Sequence, residues 1–147
     1  MSLLDELNGY YFDELSEGMS AVFGKTVTEA DIVNFAGVSG DTNPVHLNAD
    51  YAAETMFKGR IAHGILTASF ISTVIGTRLP GPGCIYVSQN LRFKAPVMIG
   101  DTVIARIVIT KLIPEKRFVE MSTICTVADK VVLEGEATVM APKRPQV

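Results

Sequence analysis

A chain of 147 residues with 48% apolar composition can bury about two-thirds of its unfolded surface as a single domain, so it needs neither metal nor disulfide to build a core. Its formal net charge of -3 and pI near 5.3 exclude a general nucleic-acid binder, which requires a dense positive field. Cys84 and Cys125 lie far apart without CxxC spacing, and the acidic opening MSLLDELNGYYF lacks the basic start of a secretory signal; both features predict reduced thiols and a cytoplasmic protein.

No repeat or Gly/Ser-rich linker divides residues 1–147, so one domain is expected. Residues 10–27 read as short extended pieces turning at Glu17-Gly18. Thr28 then opens a helix, with Asp31 three residues on in the manner of a capping box; Ile32, Phe35 and Ala36 recur at helical spacing and Gly40 stops it. Residues 41–46 cannot prolong that helix, because Pro44 drives Asn43 into an extended conformation, and a shaped loop is expected there. Asn48 caps a second short helix over residues 49–56, and Phe57-Lys58-Gly59-Arg60 leads through Ile61 into the next element.

Residues 63–79, HGILTASFISTVIGTRL, carry no charge until Arg78 and are apolar all round, which predicts a buried helix. A membrane span needs about 20 apolar residues. This run is shorter, opens on a histidine and holds Ser and Thr, so a core helix is the better reading. Its first turn is chemically useful: His63-Gly64 leaves N–H groups unpaired at the positive end of the helix, with no Cβ at Gly64 to block approach. Such an end can hold a developing oxyanion.

After Leu79 the run Pro80-Gly81-Pro82-Gly83 changes the periodicity, and residues 84–93, 102–113, 117–128 and 131–140 are β-branched-rich strands with short connectors. Short connectors favour antiparallel neighbours. In the last strand Val131, Leu133, Ala137 and Val139 face one way and Glu134, Glu136 and Thr138 the other. The predicted class is α+β, a long antiparallel sheet curled around the helix of residues 63–79. The tail beyond Met140 is polar and Pro-punctuated.

Asp41, Asn43 and His46 fall within six residues, and a carboxylate and an imidazole held this way can divide proton donation and abstraction. The plainer alternative is an Asx-turn at Asp41 and Asn43 with His46 as a polar linker. His46 and His63 are the only histidines, and with Asp41 they could ligate a metal; no HxxxH or His-rich pattern supports this, and no metal is expected.

Gly40-Asp41-Thr42-Asn43-Pro44-Val45-His46, then Ala52 or Ala53, then Ile61-Ala62-His63-Gly64, closely resemble the hydratase 2 motif of MaoC-like (R)-specific enoyl-CoA hydratases. The resemblance continues through Ser72, Leu79-Pro80-Gly81, and Arg92-Phe93-Lys94-Ala95-Pro96 to Gly100-Asp101, covering residues 28–103. It implies a hot dog fold, a homodimer joined sheet edge to sheet edge, and addition of water to trans-2-enoyl-CoA to give the (3R)-hydroxyacyl thioester. It also implies Asp41 and His46 as the catalytic pair, Gly64 as oxyanion N–H donor and Ser72 beside the bound acyl group.

Asn43 is expected to position the loop, and His63 to be structural. Ala68, Ser72 and Ile75 lie near one line along the helix and could wall an acyl tunnel. Arg92 and Lys94 could meet the phosphates of a CoA or acyl carrier protein pantetheine arm, or simply be the charges of a solvated edge strand. No cofactor is expected beyond the coenzyme A of the substrate, and no nucleic-acid or membrane partner. The competing expectations are a hot dog thioesterase and a non-catalytic acyl-thioester-binding subunit of a larger dehydratase.

Overall fold

The β-branched runs pair into one sheet in the computed structural model, which describes residues 2–146. Strands β1 (Ser20–Thr26), β2 (Ile85–Phe93), β3 (Thr102–Ile113), β4 (Phe118–Val127) and β5 (Lys130–Met140) stand in the order β1-β3-β4-β5-β2, every neighbouring pair antiparallel. Tight turns make β3, β4 and β5 a meander, which leaves β1 and β2 as the edges. Alternation sets one buried face: Val103, Ala105, Ile107 and Ile109 of β3 turn inward while Ile104 and Arg106 face out.

Helix α5 (Gly64–Thr77) packs on β1, β3 and β4 and buries Leu66, Thr67, Phe70, Ile71, Val74 and Ile75. Each fully buried aliphatic or aromatic side chain contributes about 1.5–3 kcal/mol, so this face anchors the helix. The expectation of a helix enclosed on all sides is corrected: within one chain Ile65 is 56% exposed, and Ser72 and Gly76 are open. One sheet covers one side of a helix, however apolar the other side is.

The smaller elements are set by their caps. Helix α1 (Leu3–Leu7) opens on a Ser2–Asp5 capping box, and α2 (Glu29–Ser39) on the Thr28–Asp31 box, ending where Gly40 takes φ 79. Before β1 the chain makes a single 3-10 turn, Phe12–Glu14, and a turn with Gly18 at φ 91; only one strand forms where several extended pieces were expected. Residues 41–46 are likewise not all loop, since α3 (Pro44–Leu47) is a helical turn. Helix α4 (Ala49–Ala53) stops before Met56, because the Thr55 hydroxyl bonds the Ala52 carbonyl and then accepts from the Phe57 N–H.

Candidate active site

The site grows from how Asn43 and Pro44 start α3. Proline at the first helical position brings a preset φ and gives up an N–H that has no partner there, while the Asn43 side chain accepts the Val45 N–H at 3.0 Å. Asn43 is thus the N-cap of the turn that carries His46, and its own N–H donates to Asp41 Oδ1 at 3.2 Å.

His46 is held from two sides. Its Nδ1 lies 2.8 Å from the Ile61 carbonyl, which only accepts, so Nδ1 carries the hydrogen and Nε2 keeps the lone pair. Arg60 Nε donates to the His46 carbonyl at 2.6 Å, and the same guanidinium grips Glu29 at 2.8 and 3.0 Å, tying α3 to the start of α2. The Ile61 N–H returns to the Val45 carbonyl at 3.3 Å.

His63, 2% exposed, lies face-on to His46 with ring centroids 3.8 Å apart, and its Nε2 donates to the Asp41 main-chain oxygen at 2.9 Å. A carboxylate oxygen of Asp41 and one ring nitrogen from each histidine lie within 4.8 Å of one another. Asp41 and Gly64 are exposed, and His46 is buried, with 8% of its surface left open. The next residue after His63 is Gly64, which opens α5 with no side chain capping its first turn. Acid and imidazole therefore lie side by side against His63, and the N-terminus of α5 opens one residue beyond it.

Asp41, His46 and His63 offer a metal one carboxylate and two imidazoles, yet the geometry favours protons. Each imidazole already spends one nitrogen on a carbonyl, and rings stacked at 28° aim their in-plane lone pairs side by side. A metal on His63 Nε2 would have to break its bond to Asp41.

The remaining predicted residues are not all brought here. Ser72 points outward on the open side of α5, whereas Ile75 is 1% exposed and packs in the core between helix and sheet. The two are about 60° apart on the helical wheel, Ile75 on the side covered by the sheet and Ser72 beyond the edge of that cover. Arg92 stands opposite Glu134, on the sheet face away from α5, and Lys94 lies just past β2 with its ammonium 3.4 Å from Glu134. In one protomer these two charges are across the sheet from Asp41 and His46. Phe93, between them, faces the helix, and its ring edge would be 2.6 Å from a Cβ built on Gly64. Phe93, Arg60 and the Ile61 carbonyl escape sequence reasoning; only the adjacency of His63 to Gly64 offered a signal.

Residues 14–134 match the profile of the MaoC like domain. The chain belongs to the MaoC-like family. This MaoC-like chain is 63% identical over 140 residues, 95% of its length and 97% of the relative's, to the (R)-specific enoyl-CoA hydratase of Rhodospirillum rubrum. It is 48% identical over 144 residues, 98% and 92% of the two lengths, to the 3-hydroxybutyryl-CoA dehydratase of Methylorubrum extorquens. Among solved structures, R-hydratase PhaJ1 from Pseudomonas aeruginosa in the unliganded form superposes with a TM-score of 0.88 at 45% identity, over 94% of this chain and 89% of that one. The expected hot dog fold is borne out by these neighbours and by the antiparallel sheet with α5 packed on it.

Proposed function

We propose that this chain is an (R)-specific enoyl-CoA hydratase, a hydro-lyase that adds water across the double bond of a trans-2-enoyl-CoA and runs the dehydration of the (3R)-hydroxyacyl thioester in reverse. The observation that carries the reading is a carboxylate and an imidazole, its Nδ1 already bonded, packed against His63, with an uncapped helix opened by glycine starting at the next residue.

The chemistry follows from those groups. His46 Nε2 takes a proton from a water whose other hydrogen is held by the Asp41 carboxylate, and the water oxygen attacks C3. Charge moves through the conjugated system to the thioester oxygen, where the Gly64 N–H and the positive end of α5 stabilise the enolate-like state. The dyad returns a proton to C2, so water is consumed with no net redox change and no resident cofactor enters the scheme. Asn43 caps the turn that aims His46. Ser72, on the open side of α5, lines the acyl group.

The working unit is a homodimer. Strand β2 is an edge with Ile85 54% and Val87 48% exposed, an open ladder suited to a second copy. Across that joined edge Arg92 and Lys94 would act on the phosphates of a partner's coenzyme A. A cytoplasmic setting agrees with the two unpaired cysteines, and among the described residues no helix is long and apolar enough to cross a membrane.

The test is crotonyl-CoA turnover, followed as loss of the conjugated enoyl absorbance with free thiol measured alongside. Wild type should bleach the absorbance without releasing thiol, and Asp41→Asn and His46→Gln should each lose at least about 100-fold in kcat while keeping fold and ligand affinity. Thiol release would make the chain a thioesterase. Full turnover in either variant would remove the dyad from the mechanism.

A further inference from the structure

We propose that His63 is the positioning residue that registers the proton-transfer pair against the oxyanion amide; the inference rests on Asp41 and His46 being that pair. One residue meets all three groups. Its ring is stacked on His46 at 3.8 Å, its Nε2 holds the main-chain oxygen of Asp41 at 2.9 Å, and its own carbonyl carbon is bonded to the Gly64 amide nitrogen. Phe35 closes against the His63 ring with centroids 4.8 Å apart.

The choice of imidazole is informative because it carries a liability. Nε2 faces a carbonyl, so the hydrogen sits there and Nδ1 is an acceptor; that Nδ1 is buried and has no hydrogen-bond partner among the described residues. Buried polar atoms are nearly always paired, and one that is not calls for a reason. A phenylalanine of the same outline would stack equally well without an orphaned nitrogen, and a glutamine would donate to Asp41 without a flat ring. Only the imidazole supplies the stacking face and the N–H at one reach. Its acceptor nitrogen is enclosed by protein, so His63 acts through Asp41 and His46 and not on the substrate.

Asp41 needs such a hold. It is exposed and follows Gly40 at φ 79; among the described residues its carboxylate bonds only to the Asn43 N–H and its own N–H donates to Ser39 Oγ at 3.1 Å, all within two residues of it. The Nε2 bond of His63 is what fastens its backbone to the start of α5. Misplacement of a reacting group by about 1 Å costs on the order of 100-fold in rate.

The experiment compares kcat, KM and thermal midpoint for His63→Phe, His63→Gln and His63→Asn, with Asp41→Asn as control, in the full chain on crotonyl-CoA. His63→Phe should lower kcat by about 10- to 100-fold with KM within about threefold of wild type, and unfold at no lower temperature. His63→Gln, whose amide reaches about as far as Nε2, should restore kcat to within about fivefold of wild type, while the shorter Asn stays near the Phe level. Wild-type kcat in His63→Phe, or equal kcat in the Gln and Asn variants, overturns the proposal; if the Phe variant does not fold, the Gln and Asn pair decides alone. Full turnover in Asp41→Asn sinks the dyad reading instead, whereas its loss beside an unimpaired His63→Phe sinks only the role of His63.

Discussion

Gly64→Pro is the sharpest probe of the oxyanion donor, because it deletes the first N–H of α5 and disturbs little else. That N–H has no intrahelical acceptor, so its removal breaks no helical bond. His63 already has φ -59 and ψ 135, the extended conformation that a residue preceding proline adopts. The new Cβ is the complication: it falls 2.6 and 2.8 Å from Cε1 and Cδ1 of Phe93, against an ordinary contact of about 3.5–4 Å. The ring must retreat by about 1 Å, and Phe93, 54% exposed, has solvent to retreat into. Gly64→Ala introduces the same Cβ and keeps the N–H, so against it Pro differs by the lost donor and by the ring Cγ and Cδ that take the place of its hydrogen. For Ala, mild overpacking of about 1 kcal/mol is offset by a helix propensity gain of about 1 kcal/mol, leaving the thermal midpoint within about 3 °C. Relative to Ala, Pro should lose about 100- to 1000-fold in kcat, or about 2.7–4 kcal/mol of transition-state stabilisation. Both variants are followed by enoyl absorbance with crotonyl-CoA. A folded Gly64→Pro enzyme with the kcat of Gly64→Ala would refute the assignment of that amide.

Three further outcomes are expected. Asn43→Ala removes the cap of α3 and should cost about 1 kcal/mol of stability, with kcat reduced about tenfold because His46 rides on that turn; Asn43→Asp, an equal cap, should restore the stability, as read by urea unfolding. Burial pushes the Cys125 thiol from its ordinary 9.0 up to about 12, so its contribution to stability is whole below pH 9 and is lost as pH rises toward 12. The unfolding free energy from urea melts should therefore fall between pH 9 and pH 10 by about 1 kcal/mol less in Cys125→Ala than in wild type, and equal falls would deny the shift. The double variant Ile85→Glu with Val87→Glu puts like charges on the open edge of β2 and should sediment near 15.9 kDa, whereas the proposed wild-type homodimer should sediment at about twice that mass; equal masses for the two would refute pairing through β2.

Local chemistry was legible in the sequence. Thr28 and Asp31 box the start of α2 and Gly40 ends it, and Pro80 to Gly83 divides helix from sheet, because caps and turns depend on residues within a few positions of each other. The turn Pro44–Leu47 was not, since a single helical turn is too short to show a period. The contrast between open Ser72 and buried Ile75 was hidden because hydrophobicity says which residues can be covered, while the extent of the sheet decides which are. The holds on His46 and Asp41 come from the Ile61 carbonyl and the His63 ring, and a main-chain oxygen has no letter in the sequence. Phe93 meets Gly64 only through the fold, from 29 positions further along the chain.

Residues 41–64 are laced to one another, Val45 to Ile61, His46 to Ile61 and Arg60, and Asp41 to His63. Apart from ties outward to Glu29, Val97 and Met98 these fastenings are internal, and they give the reactive segment its own melting behaviour. It can unlatch and relatch as a unit while the five strands behind it stay zipped, so its amides should trade deuterium together and ahead of the sheet. Breathing of this kind gives a bulky thioester a way in and out without loosening the framework that aims the reagents.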